Sequence, residues 1–244
     1  MHDLRLTFIG SGNAFSPSGL CCNGFLVNDR FLFEAPPQAL SSLNQIGVDP
    51  NDLDAVVLSH HHGDHFLGLP FLLLHWRWKG RTKPIRIIGP KATRCLGTDI
   101  AQKVFPGVLD ASYEIEWIEA QPGRPVEIPG LRVEAVNVEH DHELAATLGF
   151  NCEVDGRRLA YTGDTRLCEG VFDLARCNPE VMVSECASRS ENIPIHMNLV
   201  DDIPRVRAAL PSETALILSH ISPDVDDGGL RNTRIARDFE TYRF

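Results

Sequence analysis

The 244-residue chain has no apolar run long enough to cross a membrane. Its most apolar stretch, Leu67 to Trp76, is about half the ~20 residues a span needs, and it contains His75. There is no C-x-x-C pair, and the seven cysteines (Cys21, Cys22, Cys95, Cys152, Cys168, Cys177, Cys186) are an odd number. Neither a disulfide framework nor a cysteine-held zinc is indicated, and the cysteines read as small buried hydrophobes. Basic residues are scarce: 23 Lys and Arg face 33 Asp and Glu, a net charge of −10 with histidine neutral. That balance excludes a surface that binds nucleic acid or an anionic membrane over its whole extent, but not a local basic patch. No linker, low-complexity stretch or clear repeat interrupts the chain. Of the one or two domains this length allows, a single domain over residues 1–244 is expected. Met1-His2-Asp3-Leu4 runs straight into a strand-like segment with no apolar signal core, so a cytoplasmic protein with no membrane partner is expected.

What is present is an alternation of strands and helices. Leu4–Ile9 and Gly24–Phe33 read as strands around the loop Gly10–Gly19, with Asn28-Asp29 as a hairpin turn. A short helix is predicted over Gln38–Ile46, stopped by Gly47. Ala55–Leu58 is a continuous apolar run, as in a strand buried on both faces. Leu69–Trp78 reads as a helix, Ile85–Ile88 as a strand and Lys91–Lys103 as a helix. Tyr113–Ile118, Val126–Ile128, Leu131–Val138 and Thr147–Val154 alternate with period two, and Asp155-Gly156 turns the last of them back as Arg157–Tyr161. Strands Val181–Val183 and Ala215–Leu218, a helix over Ile203–Leu210 and a final helix near Leu230–Phe239 complete a layered α/β pattern.

The ten histidines cluster. His60-x-His62-x-Asp64-His65 directly follows the apolar strand Ala55–Leu58, where a rigid element presents loop side chains. His60 and His62 can share one cation, while Asp64 and His65 can turn toward a second position nearby. Imidazole and carboxylate are the ligands zinc prefers when no thiolate is offered. A flexible histidine run is the alternative, but it would not interleave Gly and Asp behind an apolar strand. Three further candidates end strands: His140, Asp164 and His220. Alone, each would more often be a cap or loop residue. With the first cluster they make seven ligands, enough for two cations bridged by one carboxylate and a water.

These segments resemble the metallo-β-lactamase superfamily over essentially the whole chain. The resemblance rests on Ser59–His65, His140, Tyr161-Thr162-Gly163-Asp164-Thr165 and Leu218-Ser219-His220. It implies a four-layer αβ/βα sandwich with two mixed sheets between helices. It also implies one metal on His60, His62 and His140, another on Asp64, His65 and His220, and Asp164 bridging. Two Zn2+ per chain are the implied cofactors, with Mn2+ or Fe2+ as substitutes. His142 rivals His140, which is preferred because it directly ends its strand; His61 and His75 read as bystanders. Within the superfamily, Phe8-Ile9-Gly10-Ser11-Gly12-Asn13-Ala14 is similar to the opening of the ribonuclease Z and phosphodiesterase branch. By that likeness His196 matches a non-ligand histidine thought to act in catalysis, and Glu185 resembles the acid of a degraded His-Glu-Ala-Thr segment. Asp64 would also orient the attacking water or take its proton. Two departures stand out: Glu34-Ala35-Pro36 replaces Asp-x-Gly, and the long Gly-rich arm with which ribonuclease Z grips tRNA has no counterpart.

The expected function is therefore a binuclear zinc hydrolase of small or nucleotide phosphodiesters, with tRNA 3′ processing as an alternative. A carboxylic ester, lactone or β-lactam hydrolase would use the same metals. A non-catalytic nucleic-acid binder or scaffold fits the complete ligand set poorly. A redox role would want a carboxylate where His62 stands. A homodimer is compatible with all of this. One feature points to an anionic substrate without any family likeness. Between Phe66 and Thr98 there is no acidic residue, yet Arg77, Lys79, Arg81, Lys83, Arg86, Lys91 and Arg94 fall there. Either this segment holds substrate, with Trp76 and Trp78 stacking on a base, or it is a solvated basic face. Arg231, Arg234 and Arg237 read as an exposed stripe on the last helix.

Overall fold

Asn28 and Asp29 take φ of 52° and 55°, and Asp155 and Gly156 take 48° and 84°. Both pairs thus form the left-handed two-residue turns whose twist matches that of paired strands. They close one hairpin between Gly24–Val27 and Phe31–Phe33 and another between Leu148–Val154 and Arg157–Tyr161. The computed structural model describes residues 3–144 and 146–244. Numbered along the chain, the strands are β1 (Arg5–Gly10), β2 (Gly24–Val27), β3 (Phe31–Phe33), β4 (Ala55–Val57), β5 (Ile85–Gly89), β6 (Ile115–Glu119), β7 (Val126–Ile128), β8 (Leu131–Asn137), β9 (Leu148–Val154), β10 (Arg157–Tyr161), β11 (Val181–Glu185), β12 (Ala215–Ser219), β13 (Thr233–Ile235) and β14 (Thr241–Arg243). The helices are α1 (Ala39–Gln45), α2 (Gly63–Phe66), α3 (Leu69–Trp78), α4 (Thr93–Val104), α5 (Glu169–Arg176) and α6 (Ile203–Ala209).

Two mixed seven-stranded sheets result, in the orders β14-β1-β2-β3-β4-β5-β6 and β13-β12-β11-β10-β9-β8-β7. Their inner faces share one core, in which Phe25 stacks on Phe33 at 4.9 Å and Tyr161 meets Phe25 edge-on at 5.2 Å. A second core joins the outer face of the first sheet to α1, α3 and α4. A third joins the outer face of the second sheet to α5 and α6. This is the expected four-layer αβ/βα sandwich. It follows from sheets whose apolar side chains point both ways and must be covered on both faces.

The segment expected as a last helix is not helical. Leu230–Phe239 holds β13, which pairs in parallel with β12 from Leu216–Thr233 to Leu218–Ile235. Asp238 then accepts from the backbone N–H of Ser11 and of Cys21, at 2.9 and 2.8 Å, tying the Gly10–Gly19 loop to the chain end. Arg231, Arg234 and Arg237 accordingly share no helix face. Helices α2 and α5 and strand β14 carry no counterpart among the elements read from sequence.

The basic segment is also largely structural. Arg81 is 2% exposed and donates to the carbonyls of Lys83, Asn51, Leu53 and Pro84 at 2.6–3.1 Å, its guanidinium lying over Trp76. Trp76 is buried and donates its indole N–H to Pro50, so it has no free face for a base. Lys83 pairs with Asp54, and Arg86 with Glu116. Topology gives the reason. Residues 77–83 pack beside Pro50–Asp52, which leads into the N-terminal end of β4, whereas the histidine loop leaves its C-terminal end. Lys91 and Arg94 alone lie beyond the C-terminal end of β5, which runs parallel to β4.

Candidate metal centre

The histidine loop leaves β4 and enters α2, so His60 and His62 precede the helix while Asp64 and His65 sit in its single turn. The other candidates leave the second sheet at one end. His140 follows β8, Asp164 follows β10, Glu185 ends β11 and His220 follows β12, all parallel or related by two antiparallel steps. Ligands from the carboxyl ends of parallel strands therefore converge from both sheets. Gly163 permits the approach. At φ 60° its missing side chain leaves room for Leu148 O and Ser59 Cβ, which an added Cβ would meet at 2.7 and 2.8 Å. His220 holds a φ of 55°, a conformation costing a non-glycine residue roughly 1–2 kcal/mol, so the surrounding packing imposes its orientation.

Asp164 stands in the middle. Its Oδ2 lies 3.1 Å from His220 Nε2, 3.3 Å from His65 Nε2, 3.9 Å from His60 Nε2 and 4.0 Å from His140 Nε2. Asp64 Oδ2 faces His65 Nε2 at 3.2 Å and His220 Nε2 at 3.3 Å. His62 Nδ1 and His140 Nε2 are 3.0 Å apart. The ligand atoms of His60, His62 and His140 form one group, and those of Asp64, His65, Asp164 and His220 another, each within 4.8 Å. All seven candidate ligands thus meet. His142, by contrast, is 89% exposed and faces Glu143, and His75 lies toward Asp49. His61 turns away to donate to Thr93 Oγ1 at 2.8 Å, that hydroxyl donating in turn to Pro90 O.

Donor chemistry tests whether divalent cations suit this arrangement. His60 Nε2, His65 Nε2 and Asp164 Oδ1 are buried without a hydrogen-bond partner, which proteins rarely tolerate unless something else satisfies the atoms. Outer contacts fix the rings. His140 Nδ1–H donates to Ile195 O at 2.9 Å, leaving its Nε2 lone pair toward the cluster. His60 Nδ1 meets Ser59 Oγ at 2.8 Å, and His62 Nε2 meets Asp141 at 3.2 Å. Burial, with His65 adding repulsion, holds the His60 imidazole well below its usual range, so the ring is neutral, the form that can bind a cation. Burial alone would raise Asp164, yet the His220 and His65 imidazoles hold it well below the usual carboxylate range. The set is oxygen and imidazole in two adjoining groups, which suits divalent metals.

Glu185 and His196 form a separate pair beside it. Glu185 is 1% exposed and accepts from Thr165 N, from Met197 N and from His196 Nδ1, the last at 2.9 Å. The His196 ring stacks on His220 at 5.2 Å and leans on His140 at 4.8 Å, touching both halves of the cluster. Burial alone would lower its pKa; the Glu185 carboxylate prevails and pushes it up to about 9. A cavity of about 600 Å3 opens beside His140, lined by Leu144, Arg166, Pro194 and Ile195 among others.

Glu34 has no role assigned from sequence, where it registers only as a departure from Asp-x-Gly. It is fully buried, accepts from Ser59 N at 3.2 Å and faces His65 Nδ1 at 3.7 Å. An acidic residue ending a wholly apolar strand was the available signal. Glu34→Ala is expected to weaken metal retention about 10- to 100-fold with all seven ligands intact, read as metal content after dialysis against graded chelator. Unchanged retention would reduce Glu34 to a folding residue.

Three comparisons agree with this geometry. The family model "Beta-lactamase superfamily domain" matches residues 29–221. A ribonuclease Z of Methanosarcina acetivorans is 25% identical over 276 residues, covering 92% of this chain and 89% of that protein. Among solved structures, the metallo-beta-lactamase fold protein YhfI of Bacillus subtilis superposes with a TM-score of 0.79 over 100% of both chains at 20% identity. A diphosphatase of the PhnP family does so with 0.74 over 99% of this chain and 98% of its own at 19% identity. With the fold, the strand-end ligands and a family match across most of its length, the chain belongs to the metallo-β-lactamase superfamily, in its ribonuclease Z-like branch.

Proposed function

We propose that this hydrolase is a binuclear zinc phosphodiesterase acting on small or nucleotide phosphodiesters. The observation that carries the reading is His196, a half-buried imidazole that is not needed to complete the His60–His62–His140 group or the Asp64–His65–Asp164–His220 group yet packs on a ring of each. An alkoxide leaving phosphate needs a proton, and a positioned histidine is the usual donor. Bound divalent cations would supply the Lewis acidity that neutralises the phosphate and makes a water acidic enough to attack at neutral pH.

This chain's own residues do the rest. His60, His62 and His140 would hold one cation, Asp64, His65 and His220 the other, and Asp164 would bridge them. Asp64, facing both His65 and His220, would orient the attacking water and accept its proton. Glu185 fixes the His196 ring through Nδ1, which leaves Nε2 to protonate the departing oxygen. The cavity beside His140 is within the ~300–1,000 Å3 typical of small-molecule sites and can take a leaving group. The M. acetivorans relative's name, ribonuclease Z, favours an RNA phosphodiester as the second reading.

With metal bound, bis(p-nitrophenyl) phosphate is expected to turn over faster, relative to its uncatalysed rate, than nitrocefin or a homoserine lactone. Chelation should abolish all three activities. The reverse ranking would move the reading to a carboxylic ester, lactone or β-lactam hydrolase on the same metals.

A further inference from the structure

A second cavity, of about 410 Å3, lies at the sheet end from which the histidine loop emerges. It is lined by Pro90, Thr93, Arg94, Trp117, Ile118 and Glu119. His61 joins it to the metal centre. This residue stands between the ligands His60 and His62, and its side chain is bonded to Thr93 on the cavity wall. His61 thus spans the two places, although it belongs to neither ligand group.

The walls differ in chemistry. Arg94 lines the cavity and is exposed, Lys91 is exposed three residues before it in the chain, and among the described residues neither makes an ion pair. The other cations between Phe66 and Gly89 differ in this or in place: Lys83 and Arg86 are paired with acids, Arg81 is buried on carbonyls, and Arg77 and Lys79 lie at the far end of β4. Opposite stand the half-buried indole of Trp117 and the carboxylate of Glu119, which Gln121 holds at 2.7 Å. Gly97 leaves room for that indole, since a Cβ there would meet its ring at 2.7 Å.

We infer that this cavity is a nucleotide subsite, taking the unit of a single strand next to the phosphodiester at the metal centre. The phosphate lies against Lys91 and Arg94, the base face on Trp117, and a ring N–H donates to Glu119. Only a ligand with an anion, a planar face and a donor edge satisfies all three walls. A phosphate alone would leave Glu119 repelling it, and a neutral aromatic would leave the two cations unused. Stacking and phosphate contacts are how single strands are commonly held without strict sequence preference. The inference rests on the phosphodiesterase reading, since it continues the substrate of that reaction.

Binding separates the two. The probe is a phosphorothioate-linked tetranucleotide, titrated against the full chain with its metals and read by tryptophan fluorescence in a Trp78→Phe background. Lys91→Gln with Arg94→Gln is expected to raise Kd at least tenfold. It should also lower the slope of log Kd against log salt by about 0.7 for each lost phosphate contact. Trp117→Phe should remove most of the fluorescence change. Lys103→Gln, which deletes a charge further along α4, should shift Kd by less than twofold. A mononucleotide should bind at least tenfold more weakly than the tetranucleotide. If the double variant weakens binding no more than Lys103→Gln does, or if the tetranucleotide fails to bind, the subsite is overturned. A protein that binds the tetranucleotide in this way but hydrolyses no phosphodiester would instead overturn the proposed reaction.

Discussion

Asp164→Ala is expected to take the purified protein from ~2 divalent cations per chain to less than one, and to lower phosphodiester hydrolysis by at least ~10³-fold. The size of the effect follows from position. One carboxylate oxygen faces four imidazole nitrogens at 3.1 to 4.0 Å, drawn from both ligand groups. In the proposed centre, deleting it would take a ligand from each site at once. It also removes a negative charge from between groups that, loaded, would carry two divalent cations, and at these distances their repulsion is weakly screened. Asp164→Asn keeps the shape, loses the charge, and should fall between the two. Chelator-free purification followed by elemental analysis reads the metal, and bis(p-nitrophenyl) phosphate reads the rate. Full metal content in Asp164→Ala would sink the bridging role, whatever happens to activity.

That prediction draws on residues readable in the sequence because their chemistry and their fold positions are local facts. Asn28-Asp29 and Asp155-Gly156 announce turns through backbone preference alone. His60, His140, Asp164 and His220 each end a strand whose apolar pattern is visible within a few residues. The strand end likewise favours His140 over His142, and the two differ in burial, at 1% against 89% side-chain exposure. What could not be read depends on distant partners. Leu230 and Arg231, Arg234 and Arg237 have helix-like spacing, but pairing with β12 claims the backbone instead, and the Asp238 carboxylate is held by the N–H groups of Ser11 and Cys21. The placing of the basic segment was illegible for the same reason. A run of cations carries no sign of which end of a sheet it will occupy, and topology sends residues 77–83 to the end away from the metal loop. Glu34 was visible as a deviation, but its service to Ser59 and His65 exists only once β3 and β4 pair.

His196→Ala should separate the proton donor from the metals. The ring stands on His220 and His140 without completing either ligand group, so its removal is expected to leave metal content unchanged. On a dinucleotide, whose leaving alkoxide needs a proton, kcat should fall by ~10²–10⁴-fold, the usual worth of a positioned general acid. On bis(p-nitrophenyl) phosphate the leaving phenolate departs without one, and the loss should be much smaller. Glu185→Gln gives a second reading of the same device. Its carboxylate accepts from His196 Nδ1, Thr165 N and Met197 N, and an amide can accept through one oxygen only. The His196 ring then loses both its orientation and the charge that favours its protonated form, so the dinucleotide rate should drop in the same direction by a smaller factor. The contrast between substrates is the decisive quantity, because a merely structural defect would slow both alike. Equal losses on the two substrates, or metal lost together with activity, would make His196 a packing residue or a ligand and leave the leaving group to be protonated from solvent.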